Sequence, residues 1–469
     1  MQESRKIIDN SSDNCYHSIQ KEVICMLIEY RVKNFMSYKD EVVLSMVADK
    51  NRELSETNVF THGKLSLLKT AAIFGANASG KSNLIESMNY LCRLMHPSSS
   101  KKDEFAEPPV FKLDDVSRNQ PVEFELSFFL GEVRHRYGLT IDRKGIVSEW
   151  LYFVPKRQEA CYFVRERNEL TQIGTYFEDK KALDYIRPDS YRPFIYTLGQ
   201  DSVKQFGWAK DIIRYLRIQI KSSNIPDVIF RRMVEEELLE QSEQSVVTKS
   251  AVLSILRDAD IGISDLSVEK ETKSSEEQEM ARQFTEFLQQ QGVSGDIQTD
   301  SYETFMHHMK YDAARKEMGE EKFPIRYESR GTIKLYALQY PILNVLKRGG
   351  VLLVDEIESS LHPLLCERII ALFNNTATNP HHAQLIFTTH NTLLMHPRIL
   401  RRDQIFFTEK NKYGVSSLYS LYDIAIDVRN NFNYLNNYLA GRFGAIPYLG
   451  EFSLNFKEDE VAGIEEQTE

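Results

Sequence analysis

The stretch Ala71-Ala72-Ile73-Phe74-Gly75-Ala76-Asn77-Ala78-Ser79-Gly80-Lys81-Ser82 limits the folds open to this chain more than any other. A short apolar run leads into G-x-x-x-x-G-K-[ST], the phosphate-binding loop pattern. Leu84, Met88, Leu91 and Met95 follow at steps of four and three. The spacing predicts a buried strand, a tight loop and a helix packed on a sheet. Gly75 and Gly80 let the backbone curl so that N–H groups point inward at phosphate oxygens. The helix starting near Lys81 aims its positive end at the same place. Lys81 is placed to reach the β- and γ-phosphates of ATP, and the Ser82 hydroxyl to ligate Mg²⁺. The expected ATP-binding set is Gly75, Ala76, Asn77, Ala78, Ser79, Gly80, Lys81, Ser82 and Asn83.

Composition narrows the class. With 42% hydrophobic and 27% charged residues, the 469-residue chain has the make-up of an ordinary globular protein of two or three subdomains. Its five cysteines, Cys15, Cys25, Cys92, Cys161 and Cys366, form no C-x-x-C. That pattern predicts reduced thiols and a cytoplasmic location, with no zinc site or disulfide framework. No apolar run reaches membrane-spanning length, and the polar N-terminus lacks the apolar stretch of a signal peptide. A net charge of −10 disfavours indiscriminate nucleic-acid binding by the whole surface, while leaving a local basic groove open.

Along the chain, the polar stretch before Met26 reads as an extension. Ile28, Tyr30 and Val32, then Val42, Val43 and Leu44, predict two strands joined around Asn34–Asp40. The stretch 97–104 reads as a linker. Alternation at Val122, Phe124, Leu126 and Phe128, repeated from Arg134 to Ile141, predicts a hairpin around Gly131. The region from Val110 to Val164 is expected as an antiparallel layer. From Asp179 to Gly262 the texture is helical, with Pro226 opening a helix to Glu240. Met280, Phe284, Phe287 and Leu288 predict an amphipathic helix ended by Gly292 and Gly295. Apolar runs at Val351–Val354, Leu385–Phe387 and Ile405–Phe407, with helices between them, predict parallel strands.

Several of these runs end in chemistry. Val351-Leu352-Leu353-Val354-Asp355-Glu356 is an apolar strand ending in two acids. Beside a phosphate loop it is the Walker B pattern, with Asp355 expected to hold Mg²⁺ and Glu356 to polarise an attacking water. Adjacent acids at a buried strand end are costly unless a cation or donors meet them. Glu358-Ser359-Ser360-Leu361-His362-Pro363 follows at once, with Pro363 suited to a helix first turn. Upstream, Ser329-Arg330-Gly331-Thr332 starts another helix, which suits either an anion site or simple capping. Downstream, Thr388-Thr389-His390-Asn391 puts a histidine at a strand end.

The order of these elements resembles the ABC-type ATPase head of SMC and RecF proteins. That resemblance implies an α/β fold: a P-loop head with an antiparallel β subdomain and an inserted helical subdomain. It also implies a division into an extension (1–25), an N-terminal ATPase lobe (26–178), a helical subdomain and insert (179–322), a C-terminal ATPase lobe (323–456) and a disordered acidic tail (457–469). It further implies that Ser329, Arg330, Gly331 and Thr332 act in trans on nucleotide bound to a second copy. Ser359, Ser360 and His362 then form the D-loop, and His390 is the switch that senses the γ-phosphate. Lys81, Glu356 and His390 are the expected catalytic residues.

Leu27–Met46, Phe111-Lys112-Leu113-Asp114, Asp258–Asp265, Asp403–Phe407 and Tyr438–Pro447 are similar to the AAA15 class of bacterial ATPases. By size and architecture the chain most resembles the ATPase subunits of PARIS-type anti-phage defence systems. This resemblance implies hydrolysis of ATP with Mg²⁺, association of copies, a separate TOPRIM-type nuclease effector and a phage-encoded trigger protein. Two alternatives stay open: an SMC/RecF-like ATPase acting on DNA in repair, and a Septu- or RloA-type defence ATPase with an HNH or other effector. An OLD-type nuclease is disfavoured, since Asp423 and Asp427 form no paired-carboxylate motif. Met36 stands where such families commonly carry a basic residue, and the Q-loop residue is either Gln120 or Gln200.

Overall fold

The structure is a computed structural model and describes residues 24–96, 105–177, 180–200, 203, 206–222, 226–240, 245–259, 262–271, 283, 301–424 and 433–447. The extension up to residue 23, the 97–104 linker, the helix expected around Met280–Leu288 with Gly292 and Gly295, Asp427 and the acidic tail lie outside these residues.

Eighteen strands are defined among the described residues. The first five are β1 (Cys25–Lys33), β2 (Val42–Ser45), β3 (Val59–His62), β4 (Leu65–Leu68) and β5 (Thr70–Gly75). Next come β6 (Val122–Leu130), β7 (Val133–Asp142), β8 (Gly145–Val154), β9 (Ala160–Glu166) and β10 (Glu169–Ile173). The central segment holds β11 (Ile220–Ser222), β12 (Ile263–Glu271), β13 (Ser301–Tyr311) and β14 (Glu317–Pro324). The last four are β15 (Val351–Val354), β16 (Gln384–Thr388), β17 (Ile405–Lys410) and β18 (Ser416–Ser420).

The central sheet has the order β11-β15-β16-β5-β17-β18. Its first five strands run parallel, and β18 closes the edge antiparallel to β17. β5, β15 and β16 are buried at every position, as their unbroken apolar runs require of strands covered on both faces. The pleat sends alternate side chains of β5 to opposite cores. Ala71 and Ile73 pack with Leu84 and Met88 of the helix Lys81–Leu94 and with the antiparallel sheet. Ala72 and Phe74 pack on the other face with Leu335 and Ile342 of the helix Arg330–Arg348 and with Ile370 of the helix Pro363–Asn374. Full burial of a side chain of this size stabilises by about 2 kcal/mol, so the loop hangs from a strand fixed on both sides.

The expected antiparallel layer is a seven-stranded sheet of order β10-β9-β8-β7-β6-β1-β2. The N-terminal pair does not stand alone as a hairpin: β1 pairs with both β2 and β6. Gln384, wholly buried, clamps this sheet to the central one. Its amide donates to Leu27 O at 3.0 Å and Leu68 O at 3.1 Å and accepts from Leu27 N at 2.7 Å.

The helix Asp227–Glu240 follows Pro226 as expected. The central segment departs from its helical texture twice. Ile220–Ser222 is a parallel edge strand on β15, and β12, β13 and β14 form a three-stranded antiparallel sheet. Among the described residues no helix is long and apolar enough to cross a membrane. The molecule is an α/β head with an antiparallel β subdomain and an inserted helical subdomain.

Candidate nucleotide site

The loop between β5 and the helix Lys81–Leu94 depends on two glycines for different contacts. Gly75 has φ of 152°, and a Cβ there would meet Thr408 O at 2.4 Å. Gly80 has φ of 119°, and a Cβ there would meet Ser416 Oγ at 2.6 Å. Both conformations suit glycine alone. The loop is tied down from behind. Tyr38 Oη donates to Gly80 O at 3.0 Å, Ser416 Oγ donates to Ser79 O at 2.6 Å, and Ser79 Oγ lies 2.6 Å from Thr408 Oγ1. Asn83 donates to Ser37 Oγ at 2.7 Å. Gly80 caps the helix with no side-chain bond, so its first N–H groups face the loop's interior unclaimed by a capping side chain.

Lys81 is buried and folds over its own loop, donating to Gly75 O and Ala76 O at 2.9 Å each. Burial pulls its ammonium below the ordinary lysine value, opposed by the charges of Asp355, Glu356 and Glu358. An anion at this point would push the same way as those acids.

β16 separates the strand that carries the loop from the strand that carries the acids. Its last residue therefore lies between them. Thr388 Oγ1 donates to Asp355 Oδ1 at 2.6 Å and accepts from Glu356 N at 2.7 Å. Ser82 Oγ donates to the same Asp355 Oδ1 at 3.2 Å. A hydroxyl and a carboxylate, both hard oxygen donors, thus converge from positions distant in sequence, a set that fits Mg²⁺. Glu356 is exposed, with φ of 50°, at the turn after the strand.

His390 follows two residues after Thr388, past the end of β16. Its backbone N donates to Glu358 Oε1 at 2.5 Å, and Thr389 Oγ1 donates to Glu358 Oε2 at 2.7 Å. Partial burial, then the Lys81 charge, holds the imidazole below its ordinary value, against Glu358, Glu356 and Asp355. That direction favours the neutral ring, which can donate one N–H.

The Ser329–Thr332 segment is built differently. Ser329 is the N-cap of the helix Arg330–Arg348, and its Oγ accepts from Thr332 N at 3.1 Å. Thr332 is buried, whereas Ser329 and Arg330 are exposed. Among the described residues no hydrogen bond joins this segment to residues 75–83. Its close neighbour is the turn at Ser360: a Cβ on Gly331 would meet Ser360 O at 2.7 Å. Ser359 and Ser360 are exposed, and Ser360 has φ of 64°. His362 caps the next helix, its Nδ1 accepting from Leu364 N at 3.3 Å, with Pro363 in the first turn.

The geometry thus brings together the loop, Lys81, Ser82, Asp355, Glu356 and His390. Ser329–Thr332 packs against the Ser360 turn instead, with no hydrogen bond to the loop among the described residues. Neither glutamine considered for the Q-loop joins the cluster: the Gln200 side chain donates to Tyr196 O at 3.1 Å, and the backbone of the exposed Gln120 accepts from Asn34 and donates to Ser117 O. Sequence reasoning missed Thr388 and Glu358, which link the acids to the histidine strand. Both lie inside motifs already singled out, but nothing local distinguishes them.

A family model described as "AAA domain, putative AbiEii toxin, Type IV TA system" matches residues 71–396, from β5 to just past His390. Among curated proteins, none matches the chain. Solved structures align over most of it at low similarity. The SMC head domain from Thermotoga maritima is 15% identical, covering 86% of this chain and 100% of that one, with a TM-score of 0.38. An SMC head bound to the C-winged helix domain of ScpA is 15% identical, covering 84% and 97%, with a TM-score of 0.41. The recombination mediator RecF with ATP is 14% identical, covering 86% and 100%, with a TM-score of 0.35.

Proposed function

The chain belongs to this AAA domain family, and from that premise we propose that it binds ATP with Mg²⁺ and hydrolyses it. The observation that carries the reading is the meeting of Ser82, at the helix start after the loop, with Asp355 and Thr388, at the ends of β15 and β16, close enough for Asp355 to act on the Lys81 charge. Lys81 exchanges the carbonyls of Gly75 and Ala76 for phosphate oxygens. Ser82 and Asp355 hold Mg²⁺, which draws charge from those oxygens when bound. Glu356, exposed past the strand end, orients the attacking water and accepts its proton. His390, neutral, donates its N–H to the terminal phosphate. Catalysis of this kind is positioning and charge stabilisation.

The Ser329–Thr332 helix start makes no hydrogen bond to its own loop among the described residues, and it closes over nucleotide held by a second copy. Binding then favours the joined state and hydrolysis the separated one. In the cell this switch serves an anti-phage system and controls a separate nuclease of TOPRIM type in response to a phage-encoded protein. The family's toxin-system description fits such a role. The test is sedimentation of the Glu356→Gln protein with and without Mg²⁺–ATP. The reading expects ATP-dependent association, and an unchanged sedimentation coefficient would overturn it. Co-purification with the neighbouring gene product tests the effector.

A further inference from the structure

Three strand ends, those of β16, β5 and β17, open into one cavity of about 660 Å³. It runs from His390 past Gly75–Ser79 to Glu409–Asn411, and its far wall is Tyr438, Leu439, Ala445, Ile446 and Pro447. Adjacent strands lie about 4.8 Å apart, so three ends span about 10 Å, more than a phosphate chain needs in width. The volume falls within the range of small-molecule sites.

The far wall is built and held. Tyr438 stacks on Phe407 of β17 with ring centroids 5.5 Å apart and donates to Ala445 O at 3.0 Å. Phe443 packs on the same ring at 5.8 Å, and Tyr419 Oη donates to Phe443 O at 2.8 Å. These anchors turn the backs of the aromatic rings to the core and leave an apolar lip. Leu439 on that lip is 62% exposed although apolar. The two ends of the cavity differ. The loop residues Gly75–Ser79 and His390 mark one, whereas Glu409 and Lys410 stand at the other, where the Glu409 carboxylate can accept from a hydroxyl or amine.

We propose that the Tyr438–Pro447 segment and Glu409 form the nucleoside wall of this site, holding the base and ribose of ATP. The proposal rests on the ATP-binding reading above. Base and ribose lie between the loop and the lip, with Leu439 and Ile446 against the planar ring and Glu409 towards the ribose hydroxyls. The segment after the last strand is then part of the binding site, and selectivity for a nucleotide over bare phosphate resides there.

Calorimetric titration of the full chain with Mg²⁺–ATP and, separately, inorganic tripolyphosphate tests it. Wild type should bind ATP more tightly. Leu439→Asp, at an exposed position that folding tolerates, and Ile446→Ser should each weaken ATP by about tenfold while tripolyphosphate stays within about twofold. Equal loss for both probes, or no loss for either, overturns the nucleoside wall and leaves the phosphate loop standing. If wild type binds neither probe, the loop reading itself falls and the wall with it.

Discussion

Among the described α-helices, two start on a glycine or serine cap, and they are built to opposite ends. The helix after the phosphate loop begins at Gly80 with no side-chain cap, in a loop fixed by Tyr38, Ser416 and Thr408. Its N–H groups are kept open by a rigid frame. The helix after Ser329 satisfies itself: the serine hydroxyl takes the Thr332 N–H, and no hydrogen bond among the described residues runs to its own loop. An open end in a rigid frame suits a ligand bound within the chain. A self-capped end with no bond to that frame is stable alone and free to meet something outside the chain. Half of the proposed chemistry is therefore assembled in one copy, and half waits for another.

The sharpest way to break this contrast is Lys81→Ala. Removing the ammonium from the open end should lower ATP hydrolysis by about 10³-fold, read as phosphate release, and wild-type turnover would refute the role given to the loop. Glu356→Gln should lower turnover by about 10²-fold while ATP still binds, so that joined copies accumulate. Ser329→Arg addresses the other helix start: the variant should bind ATP in titration yet fail to hydrolyse it, and mixing it with Lys81→Ala should restore part of the activity. Thr388→Val removes both the Asp355 and Glu356 contacts and should lower stability by about 2 kcal/mol in denaturant titration.

The smallest effect concerns the core beneath the Ser329 helix. Burial there pushes Glu235 up to about 7; its hydrogen bond from Thr304 and the charges of Arg231 and Arg232 oppose this, and Glu236 reinforces it. Thr304 Oγ1 in turn lies 3.3 Å from Tyr336 Oη on that helix. Below the unfolded value of 4.5 both states hold the proton. Between there and about 7 only the folded chain does, so stability falls as pH rises and levels off above. Glu235→Gln should raise the melting temperature at pH 8 and leave it unchanged near pH 4.5. An equal shift at both values would remove Glu235 as the cause.

Much of the loop end was legible because it is local. Gly75, Gly80 and Lys81 declare themselves by spacing, and β5, β15, β16 and β17 by apolar runs that only doubly covered strands need. The pairing of β1 with β6 was not legible, since long-range register leaves no local mark. β14, Glu-Met-Gly-Glu-Glu-Lys-Phe-Pro, is exposed along nearly its whole length, so it has no buried face to produce alternation. Thr388 and Glu358 act through bonds across 31 to 33 residues, and a threonine at a strand end looks alike with or without such a partner.

The turn after the acids has a neighbour at each side. Glu358 grips the backbone of His390, and two residues later Ser360 presses its carbonyl against Gly331, where no side chain could fit. A rocker with both arms in contact passes a push at one arm to the other. Under the proposed function, a phosphate that displaced His390 would be felt at the tip of the serine-capped helix, and the occupancy of one copy's loop would set the posture of the edge it offers to its neighbour.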